Sequence, residues 1–494
     1  MPAPTETGDL AEFEEEFAKP RTPLVVKLLV AATFVVILNE TIMVNAMPRL
    51  MADFSVGERT AQWLTTIFML TMAAVIPVTG WLLQRIPTRA AYAGAMTTFS
   101  AGTALAAVAP TFDVLLVARA VQAGGTAVML PLLMTTLMTV VPAADRGRVM
   151  GQVTLAMSCA PAMGPAVSGL LLDIGSWRLM FVTVLPVAMA VAVAGMRQLE
   201  NVGEPRPTPI SWLSVVLSAS GFGSIVYGLS KVGATDWQEP ALIVGAGLAL
   251  IAVFAVLQVR LQRGDGPLLD LRTLRHRNYA LSLVLMAAGF MAFLGSMLLL
   301  PLYLQNLRGL TELQTGLLVM PGGLAMGLLG PQVGKVYDRI GARLLLVPGS
   351  IGMVSLLFGL SRVGADTPYA LILALHVALM ATLAMVFTPV FTIGLGDLPS
   401  ALYSHGSSLL TTLQQVFGAV GTALLIVVMD TRADHLAETG SDPGEAFVGG
   451  LQWAFAAGAV IGLVVVAMAL LLPNRGADVQ EDGAAGEQVV PVER

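Results

Sequence analysis

Residues 24–48 read LVVKLLVAATFVVILNETIMVNAMP. The first part, interrupted only by Lys27, is an apolar run close to the ~20 residues that a helix needs to cross ~30 Å of hydrocarbon. Its far end carries Asn39, Glu40 and Asn45, a carboxylate flanked by two amides at or near membrane depth. Polar and ionisable groups placed there are costly, face a protein interior or a water-filled cavity, and mark a pathway. The competing reading is a helix whose polar end has merely reached the far interface.

Similar runs recur as far as residue 472. The chain has 494 residues, 56% hydrophobic and 12% charged, whereas soluble domains carry roughly 25% charged residues. The fold class is therefore an all-α polytopic membrane protein; strict alternation is absent, which argues against a β-barrel. The runs give fourteen spans: 24–47, 61–83, 89–109, 113–141, 148–172, 178–197, 211–230, 240–260, 278–304, 312–334, 343–361, 368–393, 404–429 and 449–472. Short connections leave no room for an extramembrane catalytic domain. All six tryptophans fall near span ends, where an amphipathic indole prefers to sit. With the N-terminus inside, about nineteen of the 27 Lys and Arg residues fall on the cytoplasmic side, so both termini are expected there. The leading segment is acidic, unlike the basic start of a secretory signal.

One segment is repeated. Gly80-Trp81-Leu82-Leu83-Gln84-Arg85-Ile86-Pro87-Thr88-Arg89 follows the second span, and Gly334-Lys335-Val336-Tyr337-Asp338-Arg339-Ile340-Gly341-Ala342-Arg343 follows the tenth. Gly, Arg, Ile and Arg match at one offset. Two six-helix units result if the 211–230 and 240–260 pair is an insertion, and paired halves with a site between them are a transporter plan. The organisation expected is an acidic tail (1–23), an N-terminal half (24–197), the inserted pair with a basic loop (198–277), a C-terminal half (278–472) and a second tail (473–494).

Several constellations suggest chemistry. Arg119 lies inside the fourth span and stays protonated, so it needs an anion, carbonyls or water; Glu40 is the obvious candidate. In the fifth span Gly151, Gly164, Pro165 and Gly169 promise a close, kinked helix contact. In the tenth span Gly323, Gly327, Gly330 and Gly334 share one helix face, which favours another close crossing. Asp338, beside Arg339 and Arg343, reads as a charge latch; the competing reading is a solvated, topology-setting loop. His376 and the pair Gln414-Gln415 are embedded as well, the histidine reading as a packing residue. The single cysteine, Cys159, excludes an intramolecular disulfide. No metal-ligand cluster, nucleotide motif, catalytic triad or nucleic-acid patch rises above background.

In order, these motifs resemble the major facilitator superfamily, with two six-helix halves plus two extra helices, and within it the fourteen-spanner drug:proton antiporter branch. Leu38-Asn39-Glu40-Thr41-Ile42 through Pro48 is similar to the branch's first-helix signature, Arg119-x-x-Gln122-x-Gly124 to the fourth-helix motif, and Gly151 through Gly169 to the antiporter motif. Leu300 to Gln305 and Gly334 to Arg343 match the second half. Asn39 stands where much of the branch has aspartate, and Gln84 and Pro87 replace the usual Asp and Gly, departures shared with the lincomycin-resistance-type subgroup.

The resemblance implies a proton-driven exporter of small amphiphilic drugs or antibiotics in the cytoplasmic membrane, working by alternating access, not an enzyme, and driven by the proton gradient without a cofactor. Glu40 and Arg119 would couple protons. Asn39, Asn45, Gln122, Gln414 and Gln415 would line the substrate cavity, and Arg85, Arg89, Gly334, Asp338, Arg339 and Arg343 would form the gating loops. Protons, the amphiphile and membrane lipid are the expected partners of a monomer, with no nucleic acid. Export of one endogenous metabolite or lipid, or uptake by a permease, are the alternatives.

Overall fold

A computed structural model describes residues 22–43, 46–202, 209–233, 236–263 and 266–474. These residues form α-helices with short 3-10 and π turns. The order is α1 (Leu24–Ile42), α2 (Met47–Phe54), α3 (Glu58–Arg85), α4 (Thr88–Ala107), α5 (Phe112–Val140), α6 (Arg146–Ile174), α7 (Arg178–Gln198), α8 (Trp212–Ser230), α9 (Gln238–Leu261), α10 (Arg277–Leu302), α11 (Glu312–Ile340), α12 (Arg343–Leu360), α13 (Tyr369–Gly396), α14 (Tyr403–Glu438) and α15 (Pro443–Leu471).

Among the described residues thirteen helices are long and apolar enough to cross a membrane. The expected span at 89–109 is the exception to the fourteen. It is a helix of 20 residues, α4, but it carries Arg89, four threonines and a serine. The first span stops at Ile42 instead of 47, and a short helix restarts with Pro48 in its first turn, where a missing N–H costs nothing. The expected loop after residue 429 is helical as far as Glu438. Helix starts are satisfied by side chains where the sequence supplies them. Thr311 and Gln314 form a reciprocal capping box on α11, and Asp442 accepts the Gly444 N–H at 3.0 Å on α15.

Two groups of helices emerge from the packing. One contains α1 and α3–α7, the other α10–α15. The most extensive contact in the molecule joins the groups, between α6 and α11. Both readings of small-residue helices thus describe the same contact. A Cβ placed on Gly330 would come within 2.6 Å of the Gly151 carbonyl oxygen, and one on Gly151 would meet Gly330 in return. The second seam between the groups runs along α3 and α14. The pair α8 and α9 pack on each other, and α8 lies against both α3 and α14.

Candidate functional site

At the end of α1 a polar knot is buried inside the first group. Asn39, Thr103 and Gln122 are fully buried and Arg119 nearly so. Gln122 Nε2 donates to Asn39 Oδ1 at 3.1 Å and to Thr103 Oγ1 at 2.9 Å. Arg119 donates to Gln122 Oε1 at 3.0 Å, and its guanidinium lies 4.2 Å over the Phe68 ring. Arg119 Nε and Asn39 Nδ2 find no protein acceptor. A buried donor left unmade costs about 1–3 kcal/mol, so this knot is primed to accept an anionic or oxygen partner.

Glu40 is a carboxylate within electrostatic reach of it. It is half-buried and interacts electrostatically with Arg119. The four close ion pairs of the described residues do not include these two, so a gap separates carboxylate and guanidinium. Asn39 and Gln122, expected to line the substrate cavity, are hydrogen-bonded to each other inside the first group. Asn45 lies outside the described residues. Gln414 is buried with Nε2 unpartnered, and Gln415 is half-buried. His376 packs with Nε2 3.2 Å from the Val319 carbonyl.

The small residues of α6 face two ways. Gly164 abuts Thr41, the neighbour of Glu40 in α1: a Cβ there would lie 2.8 Å from Thr41 Cβ. Thr41 Oγ1 also donates to the Ala160 carbonyl at 3.4 Å. Pro165 packs on Gly316 and Gly169 on Leu313, both of α11. Helix α6 is therefore the slab between the carboxylate-bearing helix and the opposite group.

At one end of the molecule the groups are fastened. The Asp338 carboxylate accepts from Gly147 N at 2.9 Å and Arg148 N at 2.8 Å. An anion on free N–H groups at a helix start is favoured both by hydrogen bonding and by the helix dipole. Gly334, one turn earlier, has the Gly147 carbonyl where a Cβ would go. In the repeated segment Gln84 occupies the position equivalent to Asp338, and its Nε2 donates to the Ala401 carbonyl at 2.9 Å. Arg85 lies over the Trp81 ring at 5.5 Å, and Arg339 is exposed at the end of α11. Arg89 N and Arg343 N donate to Asn201 Oδ1 (3.2 Å) and Asn474 Oδ1 (3.0 Å), so the segment leaving each group caps that group's copy of the repeated segment.

Sequence reasoning missed the hydroxyls that complete this fastening. Thr135 and Ser407 are 2.8 Å apart, Thr154 and Thr388 2.9 Å, and Ser408 Oγ donates to the Ile76 carbonyl at 2.6 Å. The only available signal was the small polar run Ser404-His405-Gly406-Ser407-Ser408 opening α14. Among the described residues, the hydrogen bonds from one group to the other cluster at this end.

Residues 29–422 match the family described as Major Facilitator Superfamily. The chain is similar to an uncharacterized MFS-type transporter, YcnB, of Bacillus subtilis, with 38% identity over 92% of this chain and 97% of the relative. It is also similar to the lincomycin resistance protein LmrB of Listeria monocytogenes, with 37% identity over 91% and 95%. Among solved structures, the proton:xylose symporter XylE superposes with a TM-score of 0.65 at 15% identity, over 94% of this chain and 98% of that one.

Proposed function

The chain belongs to the Major Facilitator Superfamily, and from that premise we propose that this transporter is a proton-driven exporter of small amphiphilic drugs or antibiotics. The observation that carries the reading is the gap between half-exposed Glu40 and buried Arg119, whose Nε has no protein acceptor. A carboxylate holds its proton more tightly as water is withdrawn and less tightly as a cation approaches. A motion that changes either at Glu40 takes up or releases a proton. Because Glu40 adjoins Thr41 and Thr41 bears on α6, that motion is transmitted to the slab between the two groups. The cargo class rests on the 37% likeness to a lincomycin resistance protein.

In this reading α4 is the fourteenth span and both termini are cytoplasmic. The fastened end is then the cytoplasmic one. Residues 24–197 and 278–472 are the two rocking halves, and the proton gradient supplies the energy without a cofactor. The protein works as a monomer.

The test is efflux of a fluorescent amphiphile from proteoliposomes under an imposed pH gradient. Transport that persists unchanged when the gradient is collapsed refutes proton coupling, and absence of any transported amphiphile refutes the cargo class.

A further inference from the structure

The two seams between the halves are not fastened alike. Along α6 and α11 the fastening is a carboxylate on two N–H groups, Asp338 on Gly147 and Arg148. Along α3 and α14 the equivalent position holds Gln84, a neutral amide with one hydrogen bond to Ala401. Charge-assisted hydrogen bonds are roughly twice as strong as neutral ones, so at this equivalent position the second seam has the weaker fastening.

That seam is where the inserted pair docks. Phe222, Ile225 and Val226 of α8 are buried in a cluster with Ala73 of α3 and Val416 of α14. Trp63 of α3 and Tyr227 of α8 pack with ring centroids 5.7 Å apart. Beyond α9 the chain turns back to the same seam. Gln258 Oε1 accepts from Leu268 N at 2.8 Å and Leu269 N at 3.2 Å, while its Nε2 donates to Ser214 Oγ at 2.9 Å. This buried amide ties α8, α9 and the loop into one body. The loop then brings the Leu268 backbone to His405 at the start of α14, and the Asp270–Arg272 pair acts on the ring electrostatically. On its other side His405 meets Gly80 of α3, where a Cβ would lie 3.1 Å from Nδ1. His405 is therefore enclosed by the first half, the second half and the inserted loop.

We propose that the inserted helix pair and its 266–276 loop act as a brace that holds the α3–α14 seam closed, in place of the carboxylate catch found at the other seam. The proposal rests on the alternating-access reading above. When α3 and α14 part at the fastened end, α8, seated across both at mid-helix, must shift against one of them, and the loop must release His405. The brace thus sets how far the resting population favours the form closed at the fastened end.

Pulsed electron–electron double resonance on the full chain in lipid nanodiscs tests this, with Cys159 replaced. Spin labels at exposed Ala90 and Ser400 span the α3–α14 seam, and labels at exposed Ala144 and Lys335 span the α6–α11 seam. Measurements are made in an Asp338→Asn background, which weakens the other catch. The double variant Phe222→Ala, Val226→Ala should raise the long-distance fraction between 90 and 400 at least threefold. Gln258→Ala, which removes the amide that ties the loop to α8 and α9 while leaving the α8 contacts with α3 and α14 intact, should move it in the same direction and serves if the double variant does not fold. An unchanged 90–400 distribution in a folded variant overturns the brace, as does equal lengthening at both seams, which would indicate general loosening. Asp338→Asn alone reports separately on the underlying reading: no lengthening at either seam there means that the halves do not rock apart at this end.

Discussion

Asp338, in the last turn of α11, closes the start of α6 by accepting the backbone N–H of Gly147 at 2.9 Å. The partner is main chain, so the contact survives any change of side chain at residue 147 that the packing tolerates, but not the loss of the carboxylate. Asp338→Asn keeps the shape and removes the charge. Losing a charged acceptor on two N–H groups should cost about 1–2 kcal/mol, a five- to thirty-fold shift in a two-state balance. The expected outcome is slower transport with substrate affinity little changed, read by proteoliposome flux alongside equilibrium binding. A proportional fall in binding, with the conformational balance unmoved, defeats the latch.

Glu40→Gln mimics a carboxyl that never releases its proton. The variant should fold and still bind amphiphiles, yet lose gradient-driven efflux, whereas Glu40→Asp should retain part of it with a displaced pH optimum. Dye efflux under an imposed pH gradient, with expression checked for each variant, gives the answer. Full efflux by Glu40→Gln places the coupling carboxylate elsewhere.

The α6–α11 contact should be intolerant of side chains. Gly330→Val drives atoms onto the Gly151 backbone, and overpacking of this kind typically costs about 1–3 kcal/mol. Its melting temperature in detergent should fall by several degrees. Gly94→Ala is the control. A Cβ there meets nothing within 4 Å, so stability should hold or rise slightly, as expected for alanine in a helix. Equal losses in the two variants would mean that the close crossing does not limit stability.

Asp270 lies in the loop outside the spans. Burial pushes its carboxyl up, but the hydrogen bonds and charge of Arg272 outweigh that and hold it below the usual carboxylate range. A folded-state value below the unfolded one means that its stabilisation is complete above the ordinary carboxylate range. The stabilisation is lost as pH falls through the depressed value. Thermal melts across acidic pH should show this loss in the native chain, and a flatter profile in Asp270→Asn.

The spans were legible because a long, nearly uncharged apolar run suits few settings besides a bilayer. The glycine rows were legible because helix periodicity puts steps of three and four on one face. Their mutual contact was not legible: spacing marks a face, not what the face meets. Arg119 and Gln122 stand three residues apart, a spacing that lets helix side chains touch. The burial of Gln122 with Asn39, by contrast, depends on how α1, α4 and α5 pack. The hydroxyls at the fastened end were invisible because serine and threonine inside helices usually bond their own preceding carbonyl. Thr411 and Thr412 do so here, and Ser407 bonds Ser404 in the same way besides reaching across, so nothing in the sequence separates these residues.

The α6–α11 crossing differs from the α3–α14 seam in what must rearrange when the halves tilt. Where Gly151 faces Gly330 and Gly147 faces Gly334, main chain slides on main chain. No rotamer has to change and no side-chain entropy is lost or regained there. Along α3 and α14, parting breaks the Ser408–Ile76 and Gln84–Ala401 bonds and strips packed side chains apart. In the alternating-access reading proposed above, the glycine line is therefore the fulcrum, Asp338 the catch at its tip, and α3–α14 the lip that travels.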